Sequence, residues 1–267
     1  MKLFLGLVLS GAISYLAYKR NSLSASGMMA AVGIGTIVYA WGSLYWYGLL
    51  LAFFISSSLL SHFQKAKKGE VEDLFDKTGK RDAAQVAANG GIGAILVLLS
   101  YFSDNSMPFM MFYLGVTATV NADTWGTELG VLSRKAPRHV LTWKVMERGG
   151  SGGVSSLGTV SSLLGGLFIG GCATIFLYLE GGKFESYLML IGAVGGLVGS
   201  LLDSILGASV QRMYVCSICS RETEKSLHCS QTTIPIRGFT WCSNDFINAL
   251  SSIGGGAVAW MLWTFII

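Results

Sequence analysis

Residues 186–209 read SYLMLIGAVGGLVGSLLDSILGAS, an apolar stretch in which Asp203 is the only charged side chain. Such a stretch is long enough for one membrane crossing, which needs roughly 20 residues. The whole chain of 267 residues has the same character, with 52% hydrophobic residues, 13% charged residues and a mean hydropathy of +0.55. That composition leaves too little polar surface to cover a soluble globule. The sequence therefore predicts an integral membrane protein.

The apolar pattern repeats along the chain and predicts an all-α fold, a polytopic bundle of about eight transmembrane helices in a single domain, residues 1–267. Several stretches are short for a full span, so some tilt and boundary error must be allowed. The composition includes 35 glycines and only three prolines, which suits close helix packing in lipid. The predicted segments are 3–18, 27–42, 44–61, 84–102, 107–122, 154–179, 186–209 and 246–267.

The basic residues lie in alternate gaps between these segments. Seventeen of the 19 Lys and Arg side chains fall at residues 19–20, 65–81, 134–148 and 212–237. Because cytoplasmic loops carry an excess of Lys and Arg, we expect these gaps to be cytoplasmic. This predicts cytoplasmic loops near 62–83, 123–153 and 210–245, with both termini extracytoplasmic. The net charge of +4 then belongs to one membrane face, and no nucleic-acid partner is expected. A cleaved signal peptide at the start of the chain stays as an alternative.

Five polar clusters lie at the predicted cytoplasmic ends of the segments. A carboxylate embedded in hydrocarbon costs about 2.5–3.5 kcal/mol, so Asp and Asn residues near membrane depth need a physical reason. In the first cluster, Asp82, Gln85 and Asn89 follow Arg81 and share one face of the fourth helix. This polar face is directed at a partner and not at lipid. The alternative is structural, with Asp82 capping the helix and Asn89 bridging two helices.

The second cluster, residues 121–130, reads NADTWGTELG and ends the fifth segment with Asn121, Asp123, Thr124 and Glu128. Carboxylates of this kind suit Mg²⁺, which completes its coordination with phosphate and water. On a continuous helix Asp123 and Glu128 would diverge by about 140°. Both can face one ion only if the helix breaks at Gly126 or at its cap, and a purely structural cap is the alternative.

The third cluster is a glycine-rich turn, GGSGG at residues 149–153, which leads into the sixth segment. Glycines allow backbone N–H groups to approach a phosphate, and the following helix start adds its positive dipole end. Lys144 and Arg148 stand where phosphate oxygens need countercharge. No Walker motif is present, and a Gly-Ser linker would look much the same. The candidate phosphate-binding residues are Lys144, Arg148, Gly149, Gly150, Ser151, Gly152, Gly153 and Ser155.

The fourth cluster surrounds Asp203 in the seventh segment, with Ser204 beside it. Gly199 and Gly207 lie about one turn to either side of Asp203. Their missing side chains leave space for a ligand or another helix to approach. We expect Asp203 to be functional.

The fifth cluster, Asn244, Asp245 and Asn248, opens the eighth segment. An ordinary N-cap followed by an interhelical hydrogen bond is the alternative to a functional role. The alternation of segments places all five clusters at the same depth on the same side of the membrane. The sequence therefore predicts a single cytoplasmic site.

A group of cysteines lies in the last basic gap, where reducing conditions make disulfides unexpected. A C-x₂-C pair followed by two more thiols and a histidine is able to bind Zn²⁺ tetrahedrally and clip the loop over the site. Reduced thiols in a structured loop are the alternative. The candidate structural zinc ligands are Cys216, Cys219, His228, Cys229 and Cys242.

The motifs RDAAQVAANG, NADTWGTELG, GGSGGVS, GSLLDSILGA and the C-x-x-C…H-C…N-D-x-x-N tail resemble, in order and spacing, an integral membrane family. This family, formerly of unknown function, includes the plant phytyl-phosphate kinases. The resemblance covers essentially the whole chain. More distantly, an aspartate followed by a basic segment and a Ser/Gly-rich helix start is similar to polyprenol kinases and CDP-diacylglycerol synthases.

The resemblance implies a kinase, and the several acids in the clusters favour Mg²⁺ as its metal. It would transfer a phosphoryl group from a nucleoside triphosphate, with CTP the expected donor, to an isoprenoid monophosphate such as phytyl or geranylgeranyl phosphate. The expected roles are metal binding for Asp123, Asp203 and Glu128, support of the metal site for Asp82 and Asp245, and acceptor binding for Arg81. The glycine-rich turn would hold the nucleotide phosphates.

Two other functions stay open from the residues alone: a transporter or lipid flippase for an anionic substrate, and a scaffold that recruits partners. The apolar outer half and the lack of a legible inverted repeat disfavour transport. We expect a multi-pass protein of a bacterial or archaeal cell membrane, surrounded by membrane lipids, with its active face towards the cytoplasm.

Overall fold

The chain forms a bundle of α-helices in a computed structural model that describes residues 1–63, 74 and 80–266. Eight helices in these residues match the eight predicted segments, which confirms the fold class. Five of them, α3, α4, α6, α7 and α8, are long and apolar enough to cross a membrane. The helices are α1 (Lys2–Lys19), α2 (Ala25–Trp41), α3 (Leu44–His62), α4 (Ala83–Tyr101), α5 (Met107–Gly130), α6 (Ser156–Leu179), α7 (Tyr187–Ser209) and α8 (Asn244–Ile266).

Helix α5 is longer than the sequence predicts. The apolar stretch predicts an end at residue 122, whereas the helix continues without interruption through Gly126 to Gly130. The added turns carry Asp123, Thr124 and Glu128, which line a cavity between the helices. Hydropathy therefore marks the end of the apolar surface but not the end of the helix.

Helix α5 is also the centre of the bundle, where it packs against α3, α4, α6, α7 and α8. Helices α1 and α2 form a pair that joins the bundle through α2 and α4. Glycines bring the central helices close together. A Cβ atom at Gly166 of α6 would lie 2.5 Å from the carbonyl oxygen of Gly192 on α7.

Contacts near the helix termini divide the termini into two groups, one at each end of the bundle. This grouping agrees with the prediction that successive loops alternate between the two membrane faces. At one end, His62 Nε2 lies 3.1 Å from the carbonyl oxygen of Arg20, and Ser24 N donates to the carbonyl oxygen of Arg81 (3.0 Å). At the other end, Glu180 accepts from the hydroxyl of Ser43 and the backbone of Tyr45. We call the first group the basic end, formed in the described residues by 19–24, 80–82, 131–155 and 210–243. That the basic end faces the cytoplasm stays a prediction.

Two loops at the basic end contain short strands that the sequence did not predict. In the loop between α5 and α6, β1 (Arg138–His139) pairs with β2 (Gly153–Val154). The loop between α7 and α8 has a sheet of order β4-β3-β7 and a separate hairpin of β5 and β6. These strands are β3 (Met213–Val215), β4 (Glu222–Thr223), β5 (Leu227–His228), β6 (Gln231–Thr232) and β7 (Ile234–Arg237). The predicted loop 62–83 lies mostly outside the described residues, although Leu74 is described and accepts from the hydroxyl of Thr223.

Candidate functional site

A cavity of about 350 Å³ lies at the basic end, between the ends of α4 to α8 and the two strand-containing loops. It brings together residues from all five predicted clusters, which are far apart in the sequence. The predicted residues that line it are Arg81, Gln85, Asn89, Asp123, Thr124, Glu128, Arg148, Gly149, Gly150, Ser151, Gly152, Gly153, Ser155, Asp203, Ser204, Asn244, Asp245 and Asn248.

Asp123 of α5 and Asp203 of α7 form a carboxylate pair in this cavity, close enough for their charges to interact. Ser251 Oγ of α8 donates to Asp203 Oδ2 (3.0 Å). In the amide orientation that satisfies its neighbours, Asn248 Nδ2 donates to the same oxygen (3.0 Å). Helix α8 therefore orients one acid, while the other interacts with the hydroxyl of Ser200 on α7. Two like charges held together in this way form a donor set suited to a hard divalent cation.

Glu128 belongs to a different part of the cavity. Because α5 is continuous through Gly126, the condition under which Asp123 and Glu128 would share an ion is not met. Instead Glu128 accepts from the hydroxyl of Ser61 and lies near Arg81. The expectation that Glu128 completes the same metal site is therefore corrected: it is a counterion for Arg81.

Arg81 is held at the start of α4. Its Nη1 donates to Ser58 Oγ (3.0 Å), and its guanidinium lies 5.9 Å from the ring centres of both Phe53 and Phe54. Burial lowers the pKa of the guanidinium from its ordinary value, and the nearby charge of Glu128 opposes that shift. Arginine keeps its charge under these conditions, so the site has a fixed cation at the edge of the cavity.

The glycine-rich turn is packed against the end of α7. Gly149 and Gly152 have φ angles of 86° and 85°, a conformation that residues with a Cβ atom rarely adopt. A Cβ atom at Gly152 would also overlap Ala208 of α7. Ser151 Oγ donates to Gln211 Oε1 (2.9 Å), and Arg237 Nη2 donates to the carbonyl oxygen of Ser151 (3.1 Å). The turn is therefore braced by protein contacts and is not a free linker.

The two glycines around Asp203 make room for protein. A Cβ atom at Gly199 would overlap the Thr119 side chain of α5, and one at Gly207 would lie 2.7 Å from Ser151 Oγ. The sequence left open whether a ligand or another helix approaches here. The structure shows that a helix approaches at Gly199 and the glycine-rich turn at Gly207.

Three predicted residues lie outside the cavity lining. Asp82 caps α4 in a reciprocal capping box, in which its carboxylate accepts from the backbone N–H of Gln85. Asn121 is fully buried between helices, and its Nδ2 donates to the carbonyl oxygen of Gly165 (2.8 Å). Lys144 is exposed on the β1–β2 loop. Asp82 is therefore a helix cap, which is the structural alternative that the sequence analysis left open.

Several lining residues were not predicted. Gln211 Nε2 donates to Glu224 Oε1 (2.7 Å), which connects the α7–α8 loop to the glycine-rich turn. No pattern in the sequence marks these residues, because their neighbours come from distant parts of the chain. Polar residues that line the cavity beyond the predicted set include Ser61, Lys80, Ser162, Ser200, Gln211, Arg212, Glu224 and Ser243.

A smaller apolar cleft of about 70 Å³ adjoins the cavity among helices α1 to α4. Its walls include Ile13 of α1, Ile34 of α2 and Leu50 of α3. Arg81 and Asn89 line both the cleft and the cavity. The Oδ1 atom of Asn89 is buried without a hydrogen-bond partner in the described part of the chain, so the predicted helix-bridging role is not seen at this atom.

Four of the five candidate zinc ligands, Cys216, Cys219, His228 and Cys229, gather in the α7–α8 loop. Cys242 is buried elsewhere and is not part of the group. Its inclusion among the ligands is therefore wrong: it precedes α8, and its backbone N–H donates to the carbonyl oxygen of Phe239.

Comparisons with known proteins agree with the motifs. The family model described as integral membrane protein DUF92 matches residues 8–256. Protein PGR of Arabidopsis thaliana is 32% identical over 269 residues, which cover 94% of this chain and 92% of that protein. An uncharacterized membrane protein of Methanocaldococcus jannaschii is 31% identical over 212 residues, 79% of this chain and 84% of its own. Protein VTE6, chloroplastic, of Arabidopsis thaliana is 27% identical over 255 residues, 92% of this chain and 67% of its own. No solved structure gives a significant match.

Proposed function

The chain belongs to the DUF92 integral membrane family, and from that premise we propose that it is a prenyl-phosphate kinase. In this proposal it transfers the γ-phosphoryl group of a nucleoside triphosphate, with CTP the preferred donor, to an isoprenoid monophosphate and so makes the diphosphate. The resemblance of the motifs to a family that includes the plant phytyl-phosphate kinases supports the reaction class. The charged cavity and the apolar cleft beside it support a prenyl monophosphate as the acceptor.

The observation that carries the proposal is the boundary between the charged cavity and the apolar cleft. Arg81 and Asn89 line both spaces, so one molecule at this boundary would have its anionic end beside a cation and its other end beside aliphatic and aromatic side chains. A prenyl monophosphate has this amphiphilic character. The cleft is small, so it would take the first carbons of the chain, and the remainder would lie along the membrane-facing helices.

The carboxylate pair supports a metal-dependent reaction. Asp123 and Asp203 would hold Mg²⁺, which takes one or two carboxylates together with phosphate oxygens and water. When bound, the ion would neutralise charge on the phosphates of the donor. Asn248 and Ser251 orient Asp203 for that purpose.

The glycine-rich turn and Arg148 are assigned to the donor phosphates. Arg148 lines the cavity, and its Nη2 is anchored to the carbonyl oxygen of Ser133 (2.7 Å). The adjacent α6 begins at a cap formed by Ser155, whose side chain accepts from Gly158 N (3.1 Å). The positive end of this helix would favour an anion at the same edge of the cavity.

The transfer step needs little covalent help from the protein. An oxygen of the acceptor monophosphate attacks the γ-phosphorus, the bond to the β–γ bridging oxygen breaks, and the nucleoside diphosphate leaves. Because the acceptor phosphate is already ionised near neutral pH, no strong general base is required. Positioning and charge neutralisation by Arg81, Arg148 and the acid pair are the contributions assigned to this chain.

The direct test uses the full chain purified in detergent, supplied with CTP, ATP, GTP or UTP, Mg²⁺, and labelled phytyl or geranylgeranyl phosphate. We expect a prenyl diphosphate product with CTP, and its loss when the metal is removed by a chelator. Failure to form diphosphate with any of these donors and acceptors would remove the proposal. Nucleotide-independent uptake of a labelled anionic lipid into proteoliposomes would instead support the transporter.

The cleft has its own test, the substitution Ala31→Leu. Ala31 lines the cleft, so the added methyl groups should occupy the space next to Arg81 and raise the KM for a prenyl phosphate severalfold with little change in the KM for the nucleotide. The matched control is Ala87→Leu on the exposed side of α4. Equal acceptor KM values for both variants would show that the chain of the acceptor lies elsewhere.

A further inference from the structure

Four side chains in the α7–α8 loop have the composition and the spacing of a closed metal site. The Sγ atoms of Cys216, Cys219 and Cys229 and a ring nitrogen of His228 all lie within 4.8 Å of one another. His228 Nδ1 is 3.6 Å from Cys219 Sγ and 3.3 Å from Cys229 Sγ. A tetrahedron with bonds of about 2.0–2.3 Å separates its ligand atoms by roughly 3.3–3.8 Å. The observed distances therefore leave room for one ion at the centre.

The backbone presents these ligands from two tight turns. Cys216 and Cys219 lie on the turn between β3 and β4, which is closed by a hydrogen bond from Ser220 N to the carbonyl oxygen of Cys216 (2.9 Å). His228 ends β5, and Cys229 begins the turn that connects β5 to β6. These two turns bring four side chains of one short loop together at a single point.

The second turn is conformationally unfavourable for its residues. Cys229 and Ser230 have φ angles of 51° and 61°, which residues other than glycine, asparagine and aspartate seldom adopt. Such positions persist when surrounding bonds determine them. A bond from Cys229 to a metal would supply that constraint, whereas a free and exposed thiol would not.

The chemistry of the four ligands selects the metal. Thiolates and imidazole favour Zn²⁺ over the hard cations Mg²⁺ and Ca²⁺, and three cysteines with one histidine make a complete structural zinc set with no open position. Cys242 of this loop and Cys172 of α6 lie outside the group. The loop therefore contains the three thiols that the site needs. Its fourth thiol, Cys242, serves as an internal control.

We propose that Cys216, Cys219, His228 and Cys229 bind one structural Zn²⁺ that holds the α7–α8 loop over the cavity. The strands of this loop are two to four residues long, too short to be stable by themselves. The zinc site joins the turn after β3 to the β5–β6 hairpin, and β3 pairs with β7. Through Arg237 of β7, which donates to Ser151 and Ala208, the metal would fix the position of the glycine-rich turn.

The experiment measures metal content and does not depend on enzymatic activity. The full chain is purified in detergent without added metal, and its zinc is determined by plasma mass spectrometry. We expect about one zinc per chain for the native protein, loss of most of it in Cys219→Ser and Cys229→Ser, and no change in Cys242→Ser and Cys172→Ser. A native protein without zinc, or equal loss in Cys242→Ser, would overturn the proposal.

If the ligand variants fail to fold, the native protein still provides an answer. X-ray absorption at the zinc edge should show three sulfur neighbours at about 2.3 Å and one nitrogen at about 2.0–2.1 Å. Coordination by oxygen and nitrogen alone would contradict the assignment. Because these readouts report only the metal, a failure here is distinct from a failure of the proposed kinase activity.

Discussion

At the scale of single residues, the same type of side chain has different roles according to its neighbours. Asp82 satisfies the N–H groups at the start of α4, Asp203 is oriented by α8 beside Asp123, and Glu128 is a counterion for Arg81. All three are acids near the predicted membrane boundary. Of these three acids, Asp203 is the one that lies beside a second carboxylate, Asp123, in the like-charge arrangement that a divalent cation would relieve.

The substitution Asp203→Asn tests this assignment. It keeps the shape of the side chain but removes one negative charge, so we expect kcat to fall on the order of a hundredfold or more. Thermal unfolding without metal should occur at the same temperature as in the native protein or higher, because like-charge repulsion is relieved. Stabilisation by Mg²⁺ with nucleotide should be lost.

The matched control is Asp104→Asn, an exposed acid at the opposite end of the bundle. It should retain both activity and stabilisation by ligand. If Asp203→Asn is still stabilised by Mg²⁺ and nucleotide as strongly as the native protein, Asp203 is not a metal ligand.

At the scale of helices, glycines determine how closely α5 to α8 approach, and this closeness positions the acids. The glycines are not equivalent. Gly166 of α6 faces the backbone of α7, where an added Cβ would lie 2.5 Å from a carbonyl oxygen, whereas a Cβ at Gly171 on the same helix would meet nothing within 4 Å. The sequence shows both as glycines in an apolar stretch and gives no means of separating them.

This difference predicts the effect of Gly166→Ala. The added methyl group must push α6 and α7 apart, which we expect to cost about 1–3 kcal/mol and to lower the unfolding temperature in detergent. Gly171→Ala should have no such cost and should slightly favour the helix. Equal unfolding temperatures for the two variants would contradict the close α6–α7 packing.

At the scale of the whole molecule, the chain separates charge between its two ends. The cavity, the group of Cys216, Cys219, His228 and Cys229, and the strand-containing loops are all at the basic end. The connections at the other end contain Asp104, Glu180 and Lys183. The positive-inside rule then predicts that substrates enter from the cytoplasm. This orientation can be measured independently of activity.

Single cysteine substitutions provide that measurement. In intact bacterial cells, a membrane-impermeant maleimide should label Asp104→Cys but neither the native protein nor Lys135→Cys, which is exposed at the basic end. After permeabilisation, Lys135→Cys and the exposed native thiols Cys219 and Cys229 should also react, provided that zinc has been removed from the thiols. Labelling of Lys135→Cys in intact cells would reverse the predicted orientation.

The amino-acid sequence by itself determined the membrane class, the eight helices of the described residues and the placement of five polar clusters at one end of these helices. These follow from hydropathy and from Lys and Arg counts, which are local properties of the chain. Residues such as Gly149–Gly153 and Asp203 could be selected in advance because polar or glycine-rich groups next to apolar segments are unusual.

Only the tertiary structure decided which acids face one another, which glycines contact backbone and which four of five metal-ligand candidates converge. Asp123 pairs with Asp203 and not with Glu128 because α5 continues past Gly126, and Gln211 meets Glu224 because the α7–α8 loop folds back over the cavity. The physical reason is that these distances are set by helix packing and loop closure across the whole chain. The spacing of residues along one segment determines neither the helix packing nor the closure of the loops.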